Sequence, residues 1–313
     1  MQKNETYKIV RLSVVSNTIL TLGKLLTGII TGSIAIVSEA VHSFIDLIAA
    51  LIAYFAVRKA AQPADRTHPY GYGKFENISG TIEGLLIFGA AIYIVYHAIE
   101  KFVNPEPLET PSVGVAIMLI STVVNFFVSQ KLFSVAEENE SLAAEADAWH
   151  LRTDVYTSLG VMAALTIITI AEWFFSAANI YWVDSLAAFI VAIMITKSAW
   201  ELVIKSAKDL FDVSLPHNEV AIVENIVESN DDIAGFHALK TRKAGNKRFV
   251  EFHIFVNSQM TVYESHRITG LLKTEIASEL DNATVIIHVE PCDNTCATKK
   301  LLYKSYKSED IKK

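Results

Sequence analysis

The sequence predicts an α-helical membrane protein that ends in a small αββαβ domain, and three observations predict it. Of 313 residues, 51% are hydrophobic, and the mean hydropathy is +0.33, both high for a chain that folds in water. The apolar residues cluster in windows near the ~20 needed to cross a bilayer, at about 9 to 30, 34 to 57, 79 to 101, 112 to 133, 144 to 170 and 179 to 200. From about 213 onward the composition turns charged, alternating and rich in turn signals.

The six windows are expected to be six transmembrane helices in a domain of residues 1–212, and the lack of strand alternation excludes a membrane barrel. Basic residues near span ends mark the cytoplasmic side. Lys3, Lys8 and Arg11 precede the first window, Arg58, Lys59, Arg66 and Lys74 lie between the second and third, Lys131 follows the fourth, and Lys205 and Lys208 follow the sixth. The opposite side holds little beyond Lys101. Both termini are therefore expected in the cytoplasm, with the protein in the cell membrane. The opening MQKNETYK lacks the basic-then-apolar layout of a cleaved leader, so the first span is expected to stay.

Residues 213–291 are expected to fold on the cytoplasmic side, starting near the VSLP of Val213 to Pro216. Helices are expected at 217–229 and 261–280, and strands at 235–243 and 247–256 around the turn AGN and at 284–290. Residues 292–313 read as a polar tail. Its two cysteines, Cys292 and Cys296, lie in a reducing compartment that disfavours a disulfide, and either bind metal or are incidental thiols. A net charge of −7 excludes a broadly basic nucleic-acid binder.

Two stretches place ionisable residues inside the second and fifth windows. SEAVHSFID holds His42 and Asp46, and ADAWHLRTD holds His150 and Asp154. Residues four apart share a helix face, so each pair offers one nitrogen and one oxygen to the same side. Two such helices make an N2O2 cage suited to tetrahedral Zn2+. The alternative is a local His/Asp hydrogen bond in each helix. Repetition of the pattern favours the cage, because ionisable groups at membrane depth are costly and line substrate or proton paths. Glu39 and Asp147, each three residues before a histidine, are either partners or entrance charges of that site, or polar contacts between helices.

These motifs, with the loop ADRTHPYGYGKFE and the order of six spans and an αββαβ domain, resemble the cation diffusion facilitators. The resemblance implies secondary export of divalent cations from the cytoplasm in exchange for protons. It also implies a homodimer joined through ferredoxin-like, metallochaperone-like cytoplasmic domains. It maps the transport site to His42, Asp46, His150 and Asp154, where some members carry aspartate at the position of His42. The extra imidazole matches zinc, with cadmium, cobalt and ferrous iron as further cargoes. Asp65 and His68 match two ligands of a peripheral zinc site whose third position holds Tyr72 here. Lys74 and Asp212 match a charge pair that ties the spans together. His237, His253, His266 and His288 fall on metal-ligand positions of the soluble domain, and Glu290 stands where an aspartate would bridge two ions.

Zn2+ is expected both as cargo and as a structural ion, with no organic cofactor. Zn2+ held by two aspartates and two neutral histidines is neutral overall, and so is the empty site with both histidines protonated. Exchange of one zinc for two protons thus leaves no net charge buried. A membrane-anchored zinc sensor is the alternative reading. An enzyme is not expected, since the chain has no HExxH and no nucleophile elbow, and four ligands leave no open metal position. Lys24 is expected to reach an interface or an acidic neighbour, and His97 and His217 are read as structural.

Overall fold

The computed structural model describes all residues except 1, 32–33, 104–111, 175–181 and 293–313. The chain divides into two compact units, Met1–Ala207 and Lys208–Lys313.

The first unit is built from six long helices, α1 Gln2–Thr31, α2 Ile34–Ala60, α3 Lys74–Val103, α4 Ser112–Asn139, α5 Leu142–Phe174 and α6 Trp182–Leu210, the last running on into the second unit. The shortest has 27 residues, about 40 Å at 1.5 Å per residue, which exceeds a hydrocarbon core of about 30 Å. Among the described residues, Glu5–Thr27, Lys74–Glu100 and Leu119–Asn139 are both long and apolar enough to cross a membrane. That is three of the six expected spans. The apolar run of α5 is broken by Glu145, Asp147, Arg152 and Asp154.

Polarity in this unit is inverted relative to a water-soluble bundle. On α1, Ser13, Asn17, Thr21 and Lys24 recur every three or four residues and are buried, as is Thr6 two turns earlier, while Ile19, Leu22, Leu26, Ile29 and Ile30 are exposed. Small side chains let the helices approach closely: Ala143, Ala144, Ala146 and Ala148 of α5 are fully buried. A Cβ on Gly84 of α3 would meet the Val203 side chain of α6 at 2.7 Å.

The second unit continues with α7 His217–Glu228, β1 Gly235–Ala244, β2 Lys247–Asn257, α8 Val262–Glu279 and β3 Ala283–Cys292. The sheet order is β1-β2-β3, with β1 antiparallel and β3 parallel to β2. Gly245, at φ 59°, opens the two-residue turn between the paired Ala244 and Lys247, a left-handed position that glycine takes without steric cost. Thr261 and Glu264 form a reciprocal capping box that starts α8. Phe252, Ile254, Val250, Val223, Leu272 and Ile276 make an apolar core between sheet and helices. Arg248 clamps α7 to the sheet through two bonds to Glu219, at 2.7 and 2.9 Å. Cys292, at the end of β3, is disulfide-bonded, which corrects the expectation of free thiols there; Cys296 lies outside the described residues.

Candidate metal centres

Packing of α2 on α5 brings residues 104 positions apart into contact. Asp46 is buried on α2, and its Oδ1 lies 3.1 Å from His150 Nε2 on α5. Asp154, one turn beyond His150, completes a group whose ligand atoms all lie within 4.8 Å of one another. One imidazole nitrogen and two carboxylates then converge on one point of the bundle interior. The backbone of His42 sits on α2 one turn before Asp46, and the side chains of His42 and Glu39 lie outside the described residues. Lys24 of α1 is buried and donates to Ser43 Oγ at 2.8 Å, while Thr21 Oγ1 donates to the Ser43 carbonyl at 2.9 Å. These bonds hold α1 against the turn of α2 just before Asp46. Arg152 donates to Ser129 Oγ at 3.2 Å and lies over the ring of Phe126, so it anchors α5 to α4.

Asp147 and Glu83 are both fully buried. Glu83, on α3, is a fully buried acid that sequence reasoning missed, although a single acid inside the apolar run NISGTIEGLLIF was visible.

In the loop before α3, Asp65 is an acceptor with four donors. Its Oδ1 takes the Thr67 N–H at 2.8 Å, the Thr67 hydroxyl at 2.7 Å and the His68 N–H at 2.7 Å, and its Oδ2 takes the Tyr72 hydroxyl at 2.6 Å. The Tyr72 hydroxyl, then Thr67 and the His68 amide, hold the Asp65 carboxyl well below the usual carboxylate range, and Asp65 in turn raises Tyr72. The His68 and Tyr72 rings are 4.1 Å apart, and the Lys59 ammonium sits over Tyr72. Lys74 opens α3, and Asp212 lies 3.6 Å from Arg242.

In the sheet, register places His237, His253 and His288 side by side on β1, β2 and β3. A bulge after His237, with Ala238 at φ 53°, re-aims the strand there. Glu290, two residues beyond His288 and so on the same face, reaches the adjacent β2 and, across it, β1: Oε1 is 2.8 Å from His253 Nδ1 and Oε2 is 3.3 Å from His237 Nε2. His237, His253 and Glu290 form the second group with ligand atoms within 4.8 Å. His288, whose ring packs 4.8 Å from His253, and His266 on α8 are exposed and stand outside that group. Of the remaining histidines, His97 lies 3.1 Å from Glu100 and His217 opens α7.

A helical bundle with an apolar exterior and an acid- and imidazole-lined interior, joined to a small sheet with its own histidine cluster, defines the class: a membrane protein that handles cations. Residues 10–211 match the family model of the cation efflux transmembrane domain, and residues 215–292 match that of the cation efflux cytoplasmic domain. The chain belongs to the cation diffusion facilitator family. It is 35% identical over 85% of its length to an uncharacterized transporter of Synechocystis sp., 84% of which is covered. It is 28% identical to the cation-efflux pump FieF of Shewanella oneidensis, over 86% of this chain and 88% of that one. FieF of Cronobacter sakazakii is likewise 28% identical, with 88% and 89% covered.

Proposed function

We propose that this chain exports Zn2+ from the cytoplasm in exchange for protons, through six membrane spans with both termini in the cytoplasm, as a homodimer joined through the second unit. The observation that carries this reading is the buried group Asp46, His150 and Asp154. A cation-ligand set enclosed among membrane helices is a transport site rather than an anchor. The FieF relatives, named cation-efflux pumps, support export. His42 is the proposed fourth ligand. Two neutral imidazoles and two carboxylates hold one Zn2+ without net charge, and two protons on those imidazoles replace it. Cd2+, Co2+ and Fe2+ are further cargoes of the same donor set. The helices rock between inward and outward access around the fixed site.

His237, His253 and Glu290 are the proposed ligands of a regulatory metal in the second unit, with His266 and His288 recruited when the chain dimerises. Asp65 and His68 are proposed to shape a turn, because a metal there would have to displace donors that Asp65 already accepts. The sensor reading rests on the sheet cluster alone. One experiment separates the two: purified protein in proteoliposomes under an imposed pH gradient should move zinc against its own gradient. Zinc that binds but never crosses would leave the sensor.

A further inference from the structure

The part of α2 that carries Asp46 is tied to α1 on both sides. Before it, Lys24 Nζ donates to Ser43 Oγ at 2.8 Å, and Thr21 Oγ1 donates to the Ser43 carbonyl at 2.9 Å. After it, the hydroxyls of Tyr7 and Tyr54 share a bond of 2.5 Å. Thr21, Lys24, Ser43 and Asp46 are all buried. Between the two ties the helices share an apolar cluster that includes Ile9 and Val10 of α1 and Ala53, Ala56 and Val57 of α2.

That apolar cluster cannot do what the ties do. Contacts between methyl groups are non-directional, so they hold two helices together without fixing how far either is turned about its own axis. A hydrogen bond is directional and does fix it. Polar side-chain atoms lie roughly 5–6 Å from a helix axis, so a turn of about 20° carries one about 2 Å sideways. Asp46 Oδ1 is 3.1 Å from His150 Nε2, and a displacement of about 1 Å is enough to spoil a built site. Ser43 precedes Asp46 by three residues, so the two side chains leave α2 on the same side. Lys24 Nζ has donors and no acceptor, and a buried donor must be met, so its bond to Ser43 is costly to break.

We propose that Lys24 is a positioning residue of the metal centre: seated on Ser43, it sets the rotation of α2 and so the aim of Asp46 at the cargo. The inference rests on the transport-site reading above and deepens it. Lys24 does not itself touch the cargo. It acts through Ser43, and the two residues work as one unit.

The test is zinc transport by proteoliposomes holding the full chain, read as KM and kcat at a fixed pH gradient. Equilibrium zinc binding is measured beside it on the His237→Ala, His253→Ala background, where the sheet cluster does not contribute. Lys24→Met and Ser43→Ala should each raise KM and weaken that binding on the order of tenfold, the size of one hydrogen bond to a charged group. The loss is one of cargo binding, so kcat should stay within about twofold. Ser43→Thr keeps a hydroxyl and should restore KM to within about twofold of the wild type. Both substitutions break the same bond, so the Lys24→Met, Ser43→Ala double variant should be no worse than either single one. A lowered Tm with unchanged KM and binding would show a merely structural role and overturn the proposal, as would a double variant whose two effects multiply. Where Lys24→Met does not fold, Ser43→Ala decides alone: wild-type KM and binding in that variant overturn the proposal. Wild-type protein that moves no zinc would sink the transport reading, and the binding measurement would still decide whether Lys24 aims Asp46.

Discussion

In Met1–Ala207 the buried side chains include Ser13, Asn17, Lys24, Asp46, Glu83 and Asp147, while Ile30, Phe55, Leu85 and Phe127 are exposed. In Lys208–Lys313 the arrangement reverses: Phe252, Ile254, Leu272 and Ile276 are buried, and the cluster His237, His253 and Glu290 is only half-buried. Both units use imidazole and carboxylate, so donor chemistry does not separate them. What differs is the dielectric around the donors. In the sheet a charge left over by a missing partner is eased by water, and the net value of any one pair is small. Between helices a charge left over is stranded, so every step must keep the site balanced. Under the proposed function the same ligand types act as a staple in one unit and as an exchange site in the other.

The sharpest break of that contrast is removal of one buried carboxylate. Asp46→Ala or Asp154→Ala leaves His150 and the cargo short of a charged ligand. Losing one partner of a buried pair costs about 3–5 kcal/mol, so zinc flux should fall roughly 100-fold or more. Size-exclusion profile and helix content should stay those of the wild type. Flux near the wild-type rate in either variant would remove the site assignment.

The corresponding change in the sheet should act on stability instead. The double variant His237→Ala, His253→Ala should lose the zinc-dependent rise in Tm of the second unit and the zinc-dependent strengthening of the dimer, while flux stays measurable. A ligand at about 100 times its Kd stabilises the state that binds it by about 2.7 kcal/mol, so the lost increment should be of that order. A wild-type Tm identical with and without zinc would show that the cluster does not hold the ion.

Legibility in the sequence followed the same divide. The sheet unit was readable to within a residue or two, because alternation in KRFVEFHIFVN, the turn around Gly245 and the capping residues Thr261 and Glu264 are local signals. The six long helices were readable from apolar length, yet only three pass on composition among the described residues. The interior polar residues that interrupt the apolar runs include the ones proposed to carry function. His42, Asp46, His150 and Asp154 stood out because the i, i+4 spacing repeats. Glu83 did not, since a lone acid has no spacing to match. Nor could spacing show that the longer Glu290 bridges two strands, which depends on the register of His237 against His253.

The smallest expected effect falls at the loop, where the Asp65 carboxyl is exposed although the Tyr72 ring that reaches it is buried. Tyr72→Phe deletes the hydroxyl that does most to hold the Asp65 carboxyl low. The sign follows from linkage: a carboxyl whose folded pKa is depressed contributes stability above its ordinary value, about 3.9, and loses it as pH falls toward the lower folded value. Without the Tyr72 hydroxyl that contribution should be smaller and its loss complete at higher pH, and the Asp65 carboxyl should titrate closer to its ordinary value in carbon-detected NMR. Thr67 and His68 still donate to Asp65, so the turn should persist. Zinc flux at neutral pH should stay within about twofold of the wild type, as expected for an exposed group. An unchanged Asp65 titration would refute the assigned role of Tyr72. A collapse of flux with the turn intact would mean that this loop belongs with the buried site, on the other side of the contrast.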